Sequence, residues 1–281
     1  MDLEEKIKSI HIHIQNKKFL KAKELLNKLL KKFPNNSYLL NLNGMTYQFL
    51  DDHISAINFF KLAIENEQKN IAAMNNLANS HKKLLNYFEA DLIYKKILDI
   101  DPNYIHGLNN YANLKLEINN YIDAISLLKK ALLIASQKNV QPLNIMLSLA
   151  GIYQSINDLE NLRKILKEIF KIDPKCVAAH KILSEITKYS DENSSSIDHL
   201  EQMKEIQKDQ NLDVDDKIIL SFSIGKSFED LKKYEESFSY LQLANDLKNN
   251  KNNSNLTDEI KIFNKIKKTF NNINFDSLNL K

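Results

Sequence analysis

The feature that most restricts the fold of this chain is a segment that occurs twice. The stretch Ile71–Asn79 is nearly superimposable on the later stretch Ile105–Asn113. The two stretches are 34 residues apart, and the same interval separates small, aromatic and apolar residues along the first half of the chain. Three such rows are Ala22, Ala56, Ala90 and Ala124; Leu26, Phe60, Tyr94 and Leu128; and Leu29, Ala63, Ile97 and Ala131. A fixed period of about 20–50 residues is the signature of stacked structural repeats.

The composition favours an all-α chain. Only 4 glycines and 4 prolines occur in 281 residues, too few for the many tight turns of an all-β protein. No two glycines lie close enough for a dinucleotide-binding or phosphate-binding loop. The single cysteine, Cys176, excludes an internal disulfide and a zinc site with several cysteines. The net charge of +3 gives no strong field for polyanions, so the sequence predicts no nucleic-acid partner.

The histidines and the cysteine indicate neither catalysis nor metal binding. His11 and His13 flank Ile12 and lie about 200° apart on a helix, so they do not share one metal easily. We interpret the other five, which are scattered along the sequence, as single surface or interface histidines, and Cys176 as a packed structural residue. These five are His53, His81, His106, His180 and His199. No Ser-His-Asp set or paired-carboxylate site is visible. The sequence therefore predicts that the chain is not an enzyme and needs no metal or cofactor.

The start of the chain is highly charged, and no apolar core of a secretory signal follows it. No run of about 18 apolar residues occurs, so no membrane-spanning helix is expected. The sequence predicts a soluble cytoplasmic protein with no membrane partner.

The repeat pattern, with its period of about 34 residues, resembles the tetratricopeptide repeat (TPR) family. The matching positions of the second repeat are Gly44, Tyr47, Ala56, Phe60 and Ala63, and Pro34 and Pro102 close the first and third repeats. The resemblance implies an all-α fold, a right-handed superhelical solenoid of about seven TPR-like antiparallel helix pairs plus a C-terminal capping helix. Small residues at the helix crossings let the backbones approach closely. Each pair leaves an apolar face that only the next pair covers.

The repeats become irregular in the second half. The segment Ser136–Pro142 carries about four extra residues, and the polar stretch Tyr189–Ser196 interrupts the sixth repeat, so that we interpret it as a loop. We expect three parts: a TPR array of about five regular repeats and the start of a sixth at 1–187, an irregular TPR-like bridging segment at 188–247, and a mobile Asn-rich linker with the capping helix at 248–281. That last helix is predicted at about Asp258–Phe270.

Six asparagines form the candidate binding site. In TPR proteins the first helix of each pair, helix A, lines the concave face, and the third and fourth repeats carry asparagines at three equivalent positions of it: Asn75, Asn76, Asn79, Asn109, Asn110 and Asn113. An Asn amide donates to and accepts from a peptide backbone at once. Asn76 and Asn110 resemble the Asn ladder of TPR regions such as that of O-linked N-acetylglucosamine transferase. The resemblance implies a peptide or protein ligand in the groove.

Two observations weigh against the ladder. The second and fifth repeats offer Leu42 and Ser148 at the ladder position, and asparagine is common throughout this chain. The alternative interpretation is that these asparagines reflect composition and repeat structure alone.

The C-terminal third resembles the bridging region of bacterial TPR-containing sulfotransferases. The matching stretches are His180–Lys188, Ile197–Met203, Leu220–Leu231, Tyr234–Tyr240, Leu243–Asn245 and Ile262–Phe270. In that family a catalytic domain follows, with a Gly-x-x-Arg-Ser-Gly-Thr loop that binds the sulfate donor PAPS, and this sequence stops at Lys281 before such a loop. The short stretch Gly225–Ser227 looks like the end of a phosphate loop but lies in a predicted helix without the upstream glycine.

Three functions remain open from the sequence. The first is a non-catalytic TPR scaffold that binds a peptide or protein partner in its groove. The second is the substrate-recruiting part of a split or truncated TPR-sulfotransferase, whose partner is a separate sulfotransferase domain. The third is a structural oligomer that associates through the exposed end of the first repeat.

Overall fold

The computed structural model describes residues 3–252. This range contains fourteen α-helices and no strand, and we group consecutive helices along the chain as seven pairs, each of a helix A and a helix B. The pairs are α1 (Leu3–Gln15) with α2 (Phe19–Leu30), α3 (Ser37–Phe49) with α4 (His53–Asn66), α5 (Ile71–Lys83) with α6 (Tyr87–Ile100), α7 (Ile105–Glu117) with α8 (Tyr121–Gln137), α9 (Leu143–Ser155) with α10 (Leu159–Ile172), α11 (Val177–Ile186) with α12 (Ser194–Gln207), and α13 (Val214–Asp230) with α14 (Tyr234–Asn252). The predicted all-α helical repeat solenoid is confirmed.

Within the described residues the chain divides into two compact units, residues 3–165 and residues 166–252. In the first unit each helix from α1 to α8 packs against the next one along the chain. The A helices also contact one another directly, α3 with α5, α5 with α7, and α7 with α9. The A helices of the second to fifth repeats therefore form one continuous layer.

The turns between the helices of a pair confirm the period and its interruption. The backbone adopts the left-handed conformation at Lys17, Asp51, Leu85 and Asn119, with φ between 56° and 61°. These residues recur at the interval of the repeat, and each lies just after an A helix, where such a conformation ends a helix. In the fifth pair the equivalent residue is Asn157, which comes later than that interval predicts. Three of the extra residues extend α8, which has 17 residues where α4 and α6 have 14, and one lies in the connection 138–142 to α9.

Small residues at the helix crossings explain why the repeats keep their period. Ala22, Ala56, Ala90 and Ala124 are fully buried, with no exposed surface. At Gly44 an added Cβ would lie 2.5 Å from Cε1 of Phe60, well inside van der Waals contact. A larger side chain at any of these crossings would hold the helices apart.

An ionic and aromatic contact joins the third and fourth repeats. The ring of Tyr94, fully buried, stacks on Tyr111 at a centroid distance of 5.3 Å. The carboxylate of Asp91 accepts hydrogen bonds from the Tyr111 hydroxyl at 2.8 Å and from Lys115 Nζ at 2.7 Å. Burial alone would raise the pKa of Asp91, but hydrogen bonds from Lys115, Lys95 and Tyr111 outweigh burial and lower the pKa to about 2. The carboxylate is therefore charged at neutral pH and fastens α6 to α7.

The second unit is packed differently from the first. Both α11 and α12 contact α13, which also packs along α14. The apolar cluster of this unit includes Tyr189, which comes from the extended segment between α11 and α12 and is only 1% exposed. The loop predicted from Tyr189 to Ser196 is shorter than expected, because α12 begins at Ser194. A tyrosine assigned to a polar loop is thus a core residue.

The C-terminal part is described as far as Asn252. Helix α14 reaches that residue and so extends into the segment for which the sequence predicted a linker. The predicted capping helix at Asp258–Phe270 lies outside the described residues, and the three-part division of the chain stays a prediction. No helix within residues 3–252 is both long and apolar enough to cross a membrane.

We expect Ala124→Leu to lower the free energy of unfolding by about 1–3 kcal/mol, because the added side chain overfills a fully buried helix crossing. Ser126→Leu is the matched control, since Ser126 is exposed on the same helix and its replacement should change stability by less than about 0.5 kcal/mol. Urea unfolding followed by circular dichroism measures both. A silent Ala124→Leu would show that the repeat register is wrong.

Candidate functional site

The asparagines of the A helices pair with one another from repeat to repeat. The Nδ2 group of Asn76 donates to Oδ1 of Asn41 at 3.0 Å, and that of Asn110 donates to Oδ1 of Asn75, also at 3.0 Å. Both bonds join residues 35 positions apart on neighbouring A helices. The acceptors Asn41 and Asn75 are 8% and 7% exposed. The donors Asn76 and Asn110 are half-buried at the surface of the helix layer. We call these two bonds the amide ladder.

The structure places the six predicted site residues in different roles. Asn75 is a buried acceptor, and Asn76 and Asn110 are half-buried donors of the amide ladder. Oδ1 of Asn79 accepts a hydrogen bond of 2.6 Å from the hydroxyl of Tyr94. Asn113, its equivalent in the fourth repeat, is half-buried and lies opposite Leu128 in the repeat pattern, which has no hydroxyl. The asparagines thus form part of the repeat interface as well as of its surface.

One acceptor of the row is left unpaired. Oδ1 of Asn109 is buried and accepts no hydrogen bond from any residue in the described part of the chain. By repeat position its donor should come from Ser148, which stands where the third and fourth repeats carry Asn76 and Asn110. A serine side chain is shorter than an asparagine side chain and has no amide N–H. The amide ladder therefore ends at the fourth repeat.

The amide ladder includes the second repeat, which the sequence pattern had excluded. Leu42 was expected to end it at the second repeat, but Asn41 next to it supplies the acceptor for Asn76. The signal was present in the sequence, since Asn41, Asn75 and Asn109 follow one another at the interval of the repeat. A second contact, from Gln48 Nε2 to the backbone oxygen of Asn76 at 2.9 Å, also joins these two A helices.

The ladder leaves specific groups for a ligand. A primary amide has two N–H donors and an oxygen with two lone pairs. In Asn76 and Asn110 the ladder bond uses one N–H and leaves the oxygen and the other N–H outside that bond. These groups complement one N–H and one C=O of an extended backbone. Because each amide is held by its neighbour, its plane is fixed before a ligand arrives.

A buried chain of hydrogen bonds in the second unit contains two histidines that were predicted to be single surface or interface residues. This prediction was wrong for His180 and His199, because Nδ1 of His180 lies 3.0 Å from Nε2 of His199. Nε2 of His180 lies 2.9 Å from the carbonyl oxygen of Pro174, and Nδ1 of His199 lies 2.7 Å from the Tyr189 hydroxyl. The two rings are 1% and 6% exposed. No sequence spacing indicated this pair, because α11 and α12 are joined by a segment without regular structure.

The donor and acceptor roles in this series of hydrogen bonds follow from the chemistry of its groups. The Pro174 carbonyl only accepts, so His180 donates to it from Nε2 and accepts at Nδ1 when neutral. His199 then donates from Nε2 and accepts the Tyr189 hydroxyl at Nδ1. Burial lowers the pKa of His180, and burial together with His180 lowers the pKa of His199 to about 4. Both rings are neutral at pH 7, and every polar atom of the pair has a partner.

The remaining sequence predictions concern Cys176 and the stretch Gly225–Ser227. Cys176 is 7% exposed, and burial raises the pKa of its thiol, which agrees with a packed structural residue. The stretch Gly225–Ser227 lies inside α13, as predicted. Its Lys226 donates to the Thr187 carbonyl and to Asp230, both at 3.1 Å. Among residues 3–252 no group of three or more His, Cys, Asp or Glu side chains is placed to hold a metal.

Comparison with solved structures identifies the fold. A tetratricopeptide repeat protein from Parabacteroides merdae aligns with 87% of this chain and 92% of its own, with a TM-score of 0.61 and 16% identity. PilW, a type IV pilus biogenesis factor, aligns with 74% of this chain and 92% of its own, with a TM-score of 0.59 and 21% identity. The fold is that of tetratricopeptide repeat proteins.

A third similar structure is the APC/C hetero-tetramer Cut9–Hcn1, which aligns with 75% of this chain and 41% of its own, with a TM-score of 0.58 and 14% identity. No protein-family model matches this sequence. No curated protein matches it either.

We expect Ser148→Asn to raise the free energy of unfolding by about 1 kcal/mol, because its amide N–H reaches the unpaired Oδ1 of Asn109 and extends the ladder to the fifth repeat. Ser148→Asp is the matched control, since it has the same shape but offers only oxygen acceptors. Chemical unfolding of both variants tests this. An aspartate that stabilises as much as the asparagine would contradict the ladder extension.

We expect the stability of the chain to fall as the pH is lowered from about 6.5 to about 4. In this range His180 and His199 become protonated in the unfolded chain but stay neutral in the folded one, because their folded-state pKa values are lowered. The loss should be about 1 kcal/mol per pH unit in the middle of this window. His199→Gln should flatten this slope, whereas His106→Gln, at an exposed histidine, should leave it unchanged. Urea unfolding at a series of pH values measures the slopes, and equal slopes in the two variants would refute the assignment.

Proposed function

We propose that this chain is a non-catalytic TPR scaffold that binds an extended peptide segment of a partner protein across its A helices. The observation that carries the proposal is the amide ladder, which presents half-buried amides of Asn76 and Asn110 at equivalent positions of adjacent repeats. The ligand is recognised mainly through its backbone, with little dependence on its side chains.

The spacing of these groups supports an extended ligand. The A helices of adjacent repeats are in contact, so equivalent residues lie about 8–10 Å apart. Three residues of an extended chain span about 10 Å. A peptide that crosses the A helices therefore offers a backbone amide to each asparagine in turn. The Lys82 and Glu117 side chains, which pair at 2.9 Å, also lie on the A helices of these two repeats.

The perturbed groups of the described residues support a scaffold rather than a catalyst. Asp91 with its low pKa joins α6 to α7, and the neutral His180–His199 pair is enclosed in the second unit. Each of these groups already has partners that explain its protonation state. One structure with a similar fold is a hetero-tetramer, Cut9–Hcn1.

The alternative from the sequence, a substrate-recruiting part of a split sulfotransferase, stays a prediction. It is tested by sequencing the source DNA beyond codon 281. A reading frame that encodes a strand followed by Gly-x-x-Arg-Ser-Gly-Thr, together with co-purification of its product, would favour that alternative over an independent scaffold.

We expect the double variant Asn76→Ala, Asn110→Ala to weaken binding of peptides selected on the chain from a phage-displayed library of random dodecapeptides by about tenfold or more. The loss arises because both half-buried amides of the ladder are removed. Fluorescence polarisation with labelled peptides measures it. Methylation of the peptide backbone nitrogens should weaken binding similarly, whereas alanine replacement of single peptide side chains should have smaller effects.

The control for this experiment is Asn41→Ala, Asn75→Ala. These changes break the same two ladder bonds from the buried side but leave Asn76 and Asn110 in place. Both double variants should lose stability by about 1–3 kcal/mol in total, since each leaves amide groups without a partner. Only the first should lose most of its peptide affinity. Equal affinity losses, or a library that yields no binder, would refute backbone recognition by the ladder.

A further inference from the structure

A row of large apolar side chains stands exposed at one edge of the first unit. Leu20, Ile54, Phe88 and Ile122 are 67%, 68%, 72% and 83% exposed. Each is the second residue of a B helix, directly after the turn from helix A, and they recur at the interval of the repeat. We call these four residues the turn-edge row. Because the repeats stack in the same way, equivalent side chains lie side by side along this edge.

The fold does not require apolar residues at this position. In the fifth repeat the second residue of α10 is Glu160, and in the last pair the second residue of α14 is Glu235, and both are exposed. A charged side chain therefore suits the position. Four consecutive repeats nevertheless carry Leu, Ile, Phe and Ile there, which exposes one large apolar side chain per repeat to water.

The charge around the row changes along the edge. The turns of the second to fourth repeats, residues 50–55, 84–89 and 118–123, contain four carboxylates and no lysine or arginine. These are Asp51, Asp52, Glu89 and Asp123, all of them exposed residues. The turn of the first repeat, residues 16–21, instead contains three lysines. One exposed lysine, Lys83, directly precedes the turn of the third repeat, so carboxylates outnumber lysines around Ile54, Phe88 and Ile122.

We propose that Ile54, Phe88 and Ile122 bind a basic amphipathic helix of a partner protein, on a surface separate from the amide ladder. The B helices that carry these side chains are separated by A helices, since α5 packs against both α4 and α6, and α7 against both α6 and α8. The three side chains therefore recur once per repeat along this edge. A partner helix with an apolar stripe along its length meets these side chains, and lysines or arginines beside that stripe face the four carboxylates.

The probe for this proposal is a synthetic peptide of three heptads with leucine at two positions of each heptad and lysine at most others. A second peptide of the same pattern carries glutamate in place of lysine. Binding of each to the full chain is measured by isothermal titration calorimetry. We expect saturable binding of the lysine peptide and binding of the glutamate peptide that is weaker by about tenfold or more, because its charges repel the acidic turns.

The decisive variant is Ile54→Ser, Phe88→Ser, Ile122→Ser. Its matched control is Leu62→Ser, Leu92→Ser, Leu133→Ser, which removes three side chains that are 43%, 50% and 62% exposed on the same three B helices. The first should weaken binding of the lysine peptide by about tenfold or more, and the second by less than about twofold. Asp51→Lys with Glu89→Lys should reduce the preference for the lysine peptide. The variant Asn76→Ala, Asn110→Ala should leave its affinity unchanged.

Three outcomes would overturn the proposal. The first is equal weakening by the two triple variants, and the second is equal binding of the lysine and glutamate peptides. The third comes from sedimentation equilibrium, if the wild-type chain self-associates and the first triple variant does not, because the row would then be a contact between two copies of this chain. Loss of dodecapeptide binding on changing the ladder asparagines tests the groove independently, so failure of one proposal is distinguishable from failure of the other.

Discussion

Close approach of helices at small residues is the constraint on which the first unit depends. Fully buried alanines recur at one position of four successive B helices, and Gly44 lies so near Phe60 that no side chain fits between them. This closeness brings the A helices of the second to fifth repeats against one another, because a wider separation within each pair would separate the A helices too. The amide ladder needs that contact, since an asparagine side chain reaches only a helix that touches its own. Packing of small residues thus places the polar groups of the candidate site.

Most of the first unit was predictable because its signal is periodic. The positions of Ala90 and Tyr94, and the shift of the repeat interval in the fifth repeat, follow from counting along the sequence. The second unit was less predictable, because the contacts between its helices do not recur at the interval of the repeat. Tyr189 shows the difference, since nothing in the polar stretch around it indicates that this tyrosine is buried in a hydrophobic core.

The asparagines of the candidate site were predicted to lie on A helices, but the hydrogen bonds between them were not predicted. All six asparagines belong to A helices, as expected, but the pairing of Asn76 with Asn41 depends on a one-residue offset between neighbouring helices. That offset is a property of how the helices cross, which a sequence pattern does not report. The pairing of His180 with His199 also depends on three-dimensional packing, and it stabilises the neutral form of each ring through its neighbour.

The left-handed turn residues carry a consequence for redesign of the chain. Lys17, Leu85 and Lys232 adopt positive φ angles that glycine or asparagine adopts at lower cost, and none of them belongs to the amide ladder or the histidine pair. The local strain of the array is therefore concentrated in its connections. Glycine or asparagine at these three positions should raise the stability of the chain. That added stability would offset the loss caused by destabilising substitutions in the two proposed binding surfaces, and the core could stay unchanged.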